Sequence, residues 1–241
     1  MSTVLDPATM LAGGEVVDTF RQFGITAFTT GRAAGSFGWQ SDEPARDVTA
    51  RWSALRTLLG GRAVRLATGV QVHGRDVSIH ADGWHGWLRQ DAADGHLSAV
   101  RGTVMAVTVA DCVPVFLAHP SGAAAVVHSG WRGTEARITD VAIDGFSALG
   151  FDARELRLHC GPAICGRCYE VRADVATRLT GRPVEAPTLV DLRAIIAEHA
   201  SQRGVREISI SSLCTRCDND RFYSHRAGDA GRQLGVLLLD P

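Results

Sequence analysis

Three potential metal ligands, His73, Cys112 and His128, each lie where a predicted β-strand ends, close to Gly or Asp. Strand ends present side chains at the rim of a sheet, so the fold is constrained most by the need to bring these three ends together. Thiolate and imidazole ligands favour zinc over magnesium or calcium. A zinc ion with only three protein ligands keeps a fourth position open, as in catalytic sites. Because a single Cys or His is more often a packing residue, the prediction depends on all three.

The composition excludes several functions. The chain has 241 residues, a net charge of −1 and no long basic run, which argues against a nucleic-acid or membrane-surface partner. All 25 basic residues are Arg, so Schiff-base chemistry and a P-loop lysine are excluded. Anion binding therefore falls to Arg or to backbone N–H groups. Because we recognise no signal peptide or apolar span, we expect a cytoplasmic protein, in which six Cys are thiols or metal ligands.

Hydrophobic periodicity predicts one mixed α/β domain over residues 1–241. Strands are predicted at 25–30, 64–72, 76–80, 103–109, 113–118, 123–128, 156–160, 207–211 and 236–239. Helices are predicted at 48–59 (ending at Gly60-Gly61), 134–149, 171–179 and 192–203. Residues 31–47 and 81–102 are predicted to be loops, and residues 1–22 are expected to be partly mobile.

Four further residues are candidates for binding or catalysis, each with a structural alternative. Asp111 could orient a ligand or act as a base, or it could cap the break between two strands. Arg132, at a predicted helix start, could hold phosphate together with N-terminal amides, or it could be a surface residue. Arg226 could also bind phosphate, and His225 could donate a proton to a leaving base. The alternative for these last two is an ordinary polar loop.

Two Cys-x-x-Cys pairs, Cys165 with Cys168 and Cys214 with Cys217, raise a separate possibility. Such pairs are typical of a structural zinc ion held by four thiolates. Their separation along the chain is longer than is usual for a zinc ribbon. Simple thiols are therefore the default interpretation.

Several motifs carry a family resemblance. They are Gln71-Val72-His73-Gly74, Ala110-Asp111-Cys112-Val113-Pro114-Val115, His128-Ser129-Gly130-Trp131-Arg132-Gly133, Gly161-Pro162-Ala163-Ile164, Cys168-Tyr169-Glu170-Val171 and Phe222-Tyr223-Ser224-His225-Arg226. With them, the chain resembles the YfiH family over residues 24–239. That family is also labelled multicopper polyphenol oxidase or laccase domain.

The resemblance implies an α+β fold in which mixed β-sheets are layered between helices (α/β/β/α), as in the cytotoxic necrotizing factors. It also implies zinc bound by His73, Cys112 and His128, in agreement with the interpretation of the residues themselves. The implied activity is phosphorolysis of adenosine, inosine or methylthioadenosine, with adenosine deaminase activity. The expected partners are small molecules, namely a purine nucleoside and phosphate, for a monomer or small homo-oligomer.

The motifs also imply substrate-binding roles for Gln71 and Arg51, although the N-terminal part departs from the family pattern. Ala50 replaces the Asn that precedes the matching Arg, and Thr30-Gly31-Arg32-Ala33-Ala34 replaces a Thr-Arg-x-Gly-Gly segment. No clear Ser-Leu-Asn-Leu segment is present. The family's Gly-Pro-Cys-Cys-Tyr-Glu segment becomes Cys165-Gly166-Arg167-Cys168-Tyr169-Glu170.

Three functions from different classes follow. The first is the zinc-dependent purine nucleoside enzyme. The second is a metal-free hydrolase in which Cys112 and His128 form a nucleophile–base pair, because family members are also described as amidases acting on peptidoglycan precursors. The third is a non-catalytic zinc protein whose closed site takes a fourth ligand from His225 or His80.

Copper laccase chemistry conflicts with the composition. A multicopper oxidase needs many imidazole ligands, largely in His-x-His pairs. The chain has nine His and no His-x-His pair. The sequence therefore favours a single zinc site over a set of copper centres.

Overall fold

The computed structural model describes residues 10–59 and 64–241. Fourteen strands are found there: β1 (Glu15–Val16), β2 (Ile25–Thr29), β3 (Arg65–Gly69), β4 (Val77–His80), β5 (Gly86–Gln90), β6 (Gly95–Ser98), β7 (Thr103–Val109), β8 (Val113–Ala118), β9 (Ala124–Ser129), β10 (Arg157–Cys160), β11 (Glu170–Val171), β12 (Thr188–Leu189), β13 (Glu207–Ile210) and β14 (Gln233–Leu239). The α-helices are α1 (Ala45–Leu59), α2 (Trp131–Glu135), α3 (Ile138–Ala148), α4 (Ala173–Thr180) and α5 (Leu192–Gln202). Short 3₁₀ helices span Asp18–Phe23, Arg32–Ala34, Ala153–Glu155 and His225–Ala227.

Two six-stranded sheets organise the molecule. The first sheet has the order β1-β2-β14-β7-β3-β5, and the second has the order β13-β10-β8-β9-β6-β4. Both are mixed: β3 pairs parallel with β5 and β7, whereas β14 pairs antiparallel with β2 and β7. In the second sheet, β8 and β9 form an antiparallel hairpin. The predicted α+β fold with mixed sheets is therefore confirmed.

Alternation along the strands produces the layers. In β7, Val104 and Ala106 pack with Trp52 of α1 on the outer face of the first sheet. Their neighbours Met105 and Val107 pack with Phe116 and other residues of the second sheet. The outer face of the second sheet is covered by α3, α4 and α5. The order of layers is therefore helix, sheet, sheet, helices, with one apolar core between the sheets and one under each helical layer.

The prediction that residues 81–102 form a loop was wrong, because β5 and β6 lie there. The residues of β6 have little β-propensity, but all four are buried between β4 and β9. A Cβ atom on Gly95 would lie 2.6 Å from Cγ1 of Val127, so the close approach of β9 requires Gly at this position. Packing context therefore overrides local propensity in this strand.

Other boundaries shift for local reasons. The predicted helix 134–149 is two helices, because Arg137 adopts a left-handed conformation with φ of 58° between α2 and α3. The predicted strand 64–72 ends at Gly69, and α1 begins at Ala45, inside a predicted loop. Within the segment 1–22, β1 and a 3₁₀ helix are formed, and Phe20 is buried. The predicted helix end at Gly60-Gly61 lies outside the described residues, as do residues 1–9.

Among the described residues, no helix combines the length and apolar character needed to cross a membrane.

The inter-sheet core gives a prediction about stability. Phe116 is fully buried between the two sheets. We expect Phe116→Ala to lower the free energy of unfolding by about 3–5 kcal/mol, because it removes apolar contacts and leaves a cavity. Urea denaturation measures this change. Leu149→Ala, at a position that is 42% exposed, is the control and should change stability by less than about 0.5 kcal/mol. Equal effects of the two substitutions would contradict the layered core.

Candidate metal centre

The two-sheet architecture brings His73, Cys112 and His128 together. Cys112 lies in the short break between β7 and β8, and the hairpin register pairs Pro114 with His128 on β9. His73 lies in the connection from β3 to β4. One ligand atom from each residue lies within 4.8 Å of the others. The three ligands predicted from the sequence therefore form one cluster, in which His128 is buried, Cys112 is half-buried and His73 is exposed.

Two residues of this rim adopt left-handed backbone conformations without being Gly. His73 has φ of 60° and Asp111 has φ of 79°. Such conformations cost free energy in non-Gly residues and persist where surrounding contacts hold them. They lie at His73 itself and at the residue before Cys112, so the unfavourable backbone occurs where two of the ligands are directed toward the cluster.

The buried carboxylate of Asp94 supplies such contacts around His73. Its Oδ1 accepts hydrogen bonds from the backbone N–H of His73 at 3.0 Å and from Nδ1 of His128 at 2.8 Å. Its Oδ2 accepts from the N–H groups of Val72 at 3.1 Å and Gly74 at 2.8 Å. Since Nδ1 of His128 is engaged, its Nε2 is left for the ligand cluster. A carboxylate behind a ligating imidazole is a common outer partner of zinc sites.

Cys112 and His128 strongly shift each other's pKa. Burial alone would raise the pKa of the Cys112 thiol, but the charge and hydrogen bonds of His128 and His73 lower it to about 6. Burial alone would lower the pKa of His128, but Cys112 and Asp94 raise it to about 9. Without a metal ion, the pair is therefore a thiolate beside an imidazolium. The thiolate is already in the form that binds metal, whereas His128 must release its proton.

Gly130 makes the convergence sterically possible. A Cβ atom at this position would lie 2.8 Å from Sγ of Cys112 and 3.4 Å from Cδ2 of His73. The first distance is below any normal contact between these atoms. The Gly of the Gly-Trp-Arg-Gly motif is therefore required by the space that the ligands occupy.

Trp131, the residue that follows Gly130, lines a cavity of about 450 Å³. Trp131, Arg132, Tyr169 and Arg226 are among its lining residues. The guanidinium of Arg132 lies 4.4 Å from the ring centre of Trp131, and that of Arg226 lies 4.8 Å from the ring centre of Tyr169. Burial and the charge of Cys112 raise the pKa of Tyr169 to about 12, so its phenol stays protonated. The cavity thus combines three Arg side chains, the carboxylate of Glu170 and two aromatic rings, one of which carries a protonated phenol.

Asp111 and Gln71 make extensive internal contacts. Asp111 Oδ1 accepts a hydrogen bond from the hydroxyl of Thr215 at 2.6 Å, and Oδ2 accepts from the N–H of Arg226 at 2.7 Å. The side-chain amide of Gln71 both donates to and accepts from Thr108. These contacts give both side chains a structural use, and their direct action on substrate stays a prediction.

The remaining predicted site residues lie apart from the ligand cluster. Arg51, on α1, donates to the carbonyl of Ser36 at 2.8 Å and forms an ion pair with Glu43. His225 is exposed and precedes Arg226 in the last 3₁₀ helix. Neither His225 nor His80 joins the three ligands within residues 10–59 and 64–241. His80 instead faces His96, with 3.0 Å between Nε2 and Nδ1.

Sequence reasoning missed Asp94 and did not assign a role to Tyr169. Asp94 lies in a segment without regular periodicity, and its only signal was the general need of a ligating His for an outer acceptor. Tyr169 belongs to a motif that carried the resemblance, but nothing in its spacing indicated that it faces Arg226.

A second group of potential ligands also converges. The sulfur atoms of Cys165, Cys168, Cys214 and Cys217 lie within 4.8 Å of one another. The described residues thus contain two clusters that could hold a metal ion.

The chain is similar to several known proteins. Residues 17–240 match the family model described as multi-copper polyphenol oxidoreductase laccase. The chain is 36% identical over 212 residues to a Streptomyces coelicolor protein named purine nucleoside phosphorylase SCO2081, covering 84% of this chain and 86% of that protein. It is 30% identical over 160 residues to adenosine deaminase RL5 from an unknown prokaryotic organism, covering 61% and 59%. The structure of Bacillus licheniformis YfiH superposes with a TM-score of 0.85 at 22% identity, covering 94% and 96%.

The contacts of Asp94 give a prediction about metal affinity. Asp94→Asn places an amide against donors that now meet a carboxylate, so we expect metal affinity to fall by about 10–100-fold. Competition with a chromophoric chelator measures this change. Asp91→Asn is the matched control, since Asp91 is exposed in the same segment. Unchanged affinity in Asp94→Asn would show that His128 does not need this acceptor.

The space around Gly130 gives another prediction. The Cβ of Gly130→Ala would overlap Sγ of Cys112, so we expect metal affinity to fall by at least about tenfold, or about 1.4 kcal/mol. Gly74→Ala is the control beside the same ligands, because its Cβ would meet no atom closer than 3.4 Å. The same chelator competition compares the two variants, and equal affinities would contradict the steric argument.

Proposed function

Because the chain belongs to the family described as multi-copper polyphenol oxidoreductase laccase, we propose that it is a zinc-dependent enzyme acting on purine nucleosides. The reactions would be phosphorolysis of the nucleoside and deamination of adenosine, the activities in the printed names of its relatives. The observation that carries the proposal is the convergence of His73, Cys112 and His128 beside a cavity with three Arg side chains.

The donor set fits zinc better than a set of copper centres. One thiolate and two imidazoles suit zinc and leave a position open for chemistry. Within residues 10–59 and 64–241, only this cluster of three or more potential ligands contains imidazoles. The family description as a laccase therefore gains no support from the distribution of His in this chain.

A zinc ion bound at this site would act as a Lewis acid and lower the pKa of water. The protein residues would fix its surroundings. Asp94 holds His128 in one orientation and keeps His73 at the rim through the backbone. The open side of the cluster would face the substrate because His73 is exposed.

The cavity residues would bind the substrates. Arg132 and Arg226 offer planar groups that suit the oxygens of phosphate. The rings of Trp131 and Tyr169 offer faces on which a purine can stack. In phosphorolysis a phosphate oxygen attacks the anomeric carbon of ribose, and the departing purine takes up a proton. His225 beside Arg226, or the protonated phenol of Tyr169, would supply that proton.

One observation favours a second candidate, a thiol hydrolase. The Cys112 thiolate, the His128 imidazolium and the Asp94 carboxylate form a nucleophile, a general acid and an orienting carboxylate. This arrangement suits the attack of a thiolate on an amide carbonyl and protonation of the leaving amine by His128, which leaves an acyl-enzyme. Water, with neutral His128 as the base, would then hydrolyse the thioester and release the acid and the thiolate. Its substrates would be amide-containing precursors of peptidoglycan. The two candidates differ in the use of the same sulfur, as a metal ligand or as a nucleophile.

Metal removal distinguishes the candidates. Phosphate-dependent cleavage of adenosine, inosine and methylthioadenosine, and ammonia release from adenosine, should be lost after chelation and restored by zinc. We expect Cys112→Ala to lower both activities by more than about a hundredfold, since removal of a ligand costs at least as much as removal of an outer partner. Cys160→Ala, at a buried thiol outside both clusters, is the control and should retain them.

Two outcomes would count against the nucleoside proposal. Nucleoside cleavage that persists in both the chelated protein and Cys112→Ala would refute it. Amide hydrolysis that survives chelation but is lost in Cys112→Ala would favour the thiol hydrolase.

A further inference from the structure

Four Cys residues converge at a second place that the nucleoside reaction does not use. Cys165 and Cys168 lie in a turn between β10 and β11, and Cys214 and Cys217 lie in a turn between β13 and β14. Their four sulfur atoms lie within 4.8 Å of one another. Cys165 and Cys214 are buried, Cys168 is half-buried and Cys217 is exposed.

We propose that these four thiolates bind a second zinc ion, whose role is structural and which staples the two turns together. This inference is independent of the proposed function, because it shares no ligand with the cluster of His73, Cys112 and His128.

The spacing of the sulfur atoms fits a metal centre better than disulfides. Zinc–sulfur distances of about 2.3 Å in a tetrahedron place the sulfurs about 3.8 Å apart. Sγ of Cys168 and Sγ of Cys217 are 3.4 Å apart, whereas a disulfide bond needs about 2.05 Å. All four atoms also lie within 4.8 Å of one another, which two separate disulfides do not require. Four protein sulfurs fill the coordination of zinc, so the site would be closed and structural.

The backbone around the cluster is suited to thiolates. The N–H groups of Cys217 and Cys165 donate to Sγ of Cys214, at 3.4 Å and 3.3 Å. The first hydrogen bond lies within one Cys-x-x-Cys turn, and the second joins the two turns. Four thiolates with Zn²⁺ carry a net charge of −2. Each turn also contains one exposed Arg, Arg167 or Arg216, which places compensating positive charge nearby.

Few direct contacts join the two turns. They are an isolated β-bridge between Ala163 and Cys214, in which the N–H of Thr215 donates to the carbonyl of Ala163 at 3.2 Å, the hydrogen bond from Cys165 to Sγ of Cys214, and a hydrogen bond from Arg216 to the carbonyl of Cys168 at 3.2 Å. A metal ion that crosslinks such loops contributes directly to folding free energy. The zinc would therefore replace the sheet hydrogen bonds that this part of the second sheet lacks.

The proposed second zinc site also adjoins the proposed catalytic cavity. Tyr169, which lines that cavity, follows Cys168 directly. Thr215, between the other two Cys residues, donates to Asp111 beside Cys112. The second zinc would thus hold in place both a wall of the cavity and the backbone that presents a ligand of the first site. It would affect the proposed reaction only by positioning these parts of the site.

Metal stoichiometry and the zinc ligand shell test this proposal. We expect two zinc ions per chain in the wild type and one each in Cys217→Ser and His73→Ala. X-ray absorption should find four sulfur neighbours at about 2.3 Å around the zinc of His73→Ala, and one sulfur with nitrogen neighbours in Cys217→Ser. Cys160→Ala, the control, should keep both ions because its thiol lies in neither cluster.

Two results would overturn the second site. One is a wild type that binds one zinc with a single sulfur neighbour. The other is a His73→Ala protein that holds no zinc while its remaining thiols stay free to react with a thiol reagent. The measurement on His73→Ala needs no change in the four-Cys cluster, so it decides the question even if Cys217→Ser does not fold. Loss of only the second zinc site would leave the proposed nucleoside chemistry standing.

Discussion

The carboxylate of Asp94 is the contact on which the candidate site depends. It is fully buried and accepts four hydrogen bonds, three from consecutive N–H groups at residues 72–74 and one from the ring of His128. Burial alone would raise the pKa of Asp94, but the hydrogen bond from His128 and those from the backbone lower it. An ionised carboxylate is therefore stable there only while these donors stay in place. One side chain thus fixes two of the three candidate ligands. The layered sheets place Asp94 directly before β6.

The sheets explain why the third ligand meets the other two. β7 belongs to the first sheet and β8 to the second, so the chain crosses between sheets at Asp111 and Cys112. A crossing at the rim directs the intervening side chain toward the space where the other connections also end. The left-handed conformation of Asp111 is part of that crossing, and Thr215 and Arg226 stabilise it through the carboxylate. Polar contacts outside the metal cluster therefore offset the free-energy cost of this backbone conformation.

The sequence predicted the three residues of the cluster better than the residue that supports them. His73, Cys112 and His128 could be identified because strand ends have local signals and because the residue types are rare. Asp94 could not be, since its function depends on donors 20–22 and 34 residues away along the chain. β6 was missed for a related reason: its Gly, His and Ser residues form a strand because β4 and β9 enclose them. The four-Cys cluster shows the same limit, because chain separation says little about distance in the fold.

The state of Cys112 connects the chemistry to the architecture. A thiolate with a lowered pKa beside an imidazolium is both a metal ligand and a nucleophile, so electrostatics alone does not choose between the two uses. Geometry does favour one of them. A thiol hydrolase needs only Cys112, His128 and Asp94. The fold also brings His73 into the cluster at the cost of a left-handed backbone, and Gly130 leaves space for both His73 and Cys112. This arrangement supports our proposal that the sulfur shares a metal ion with two imidazoles.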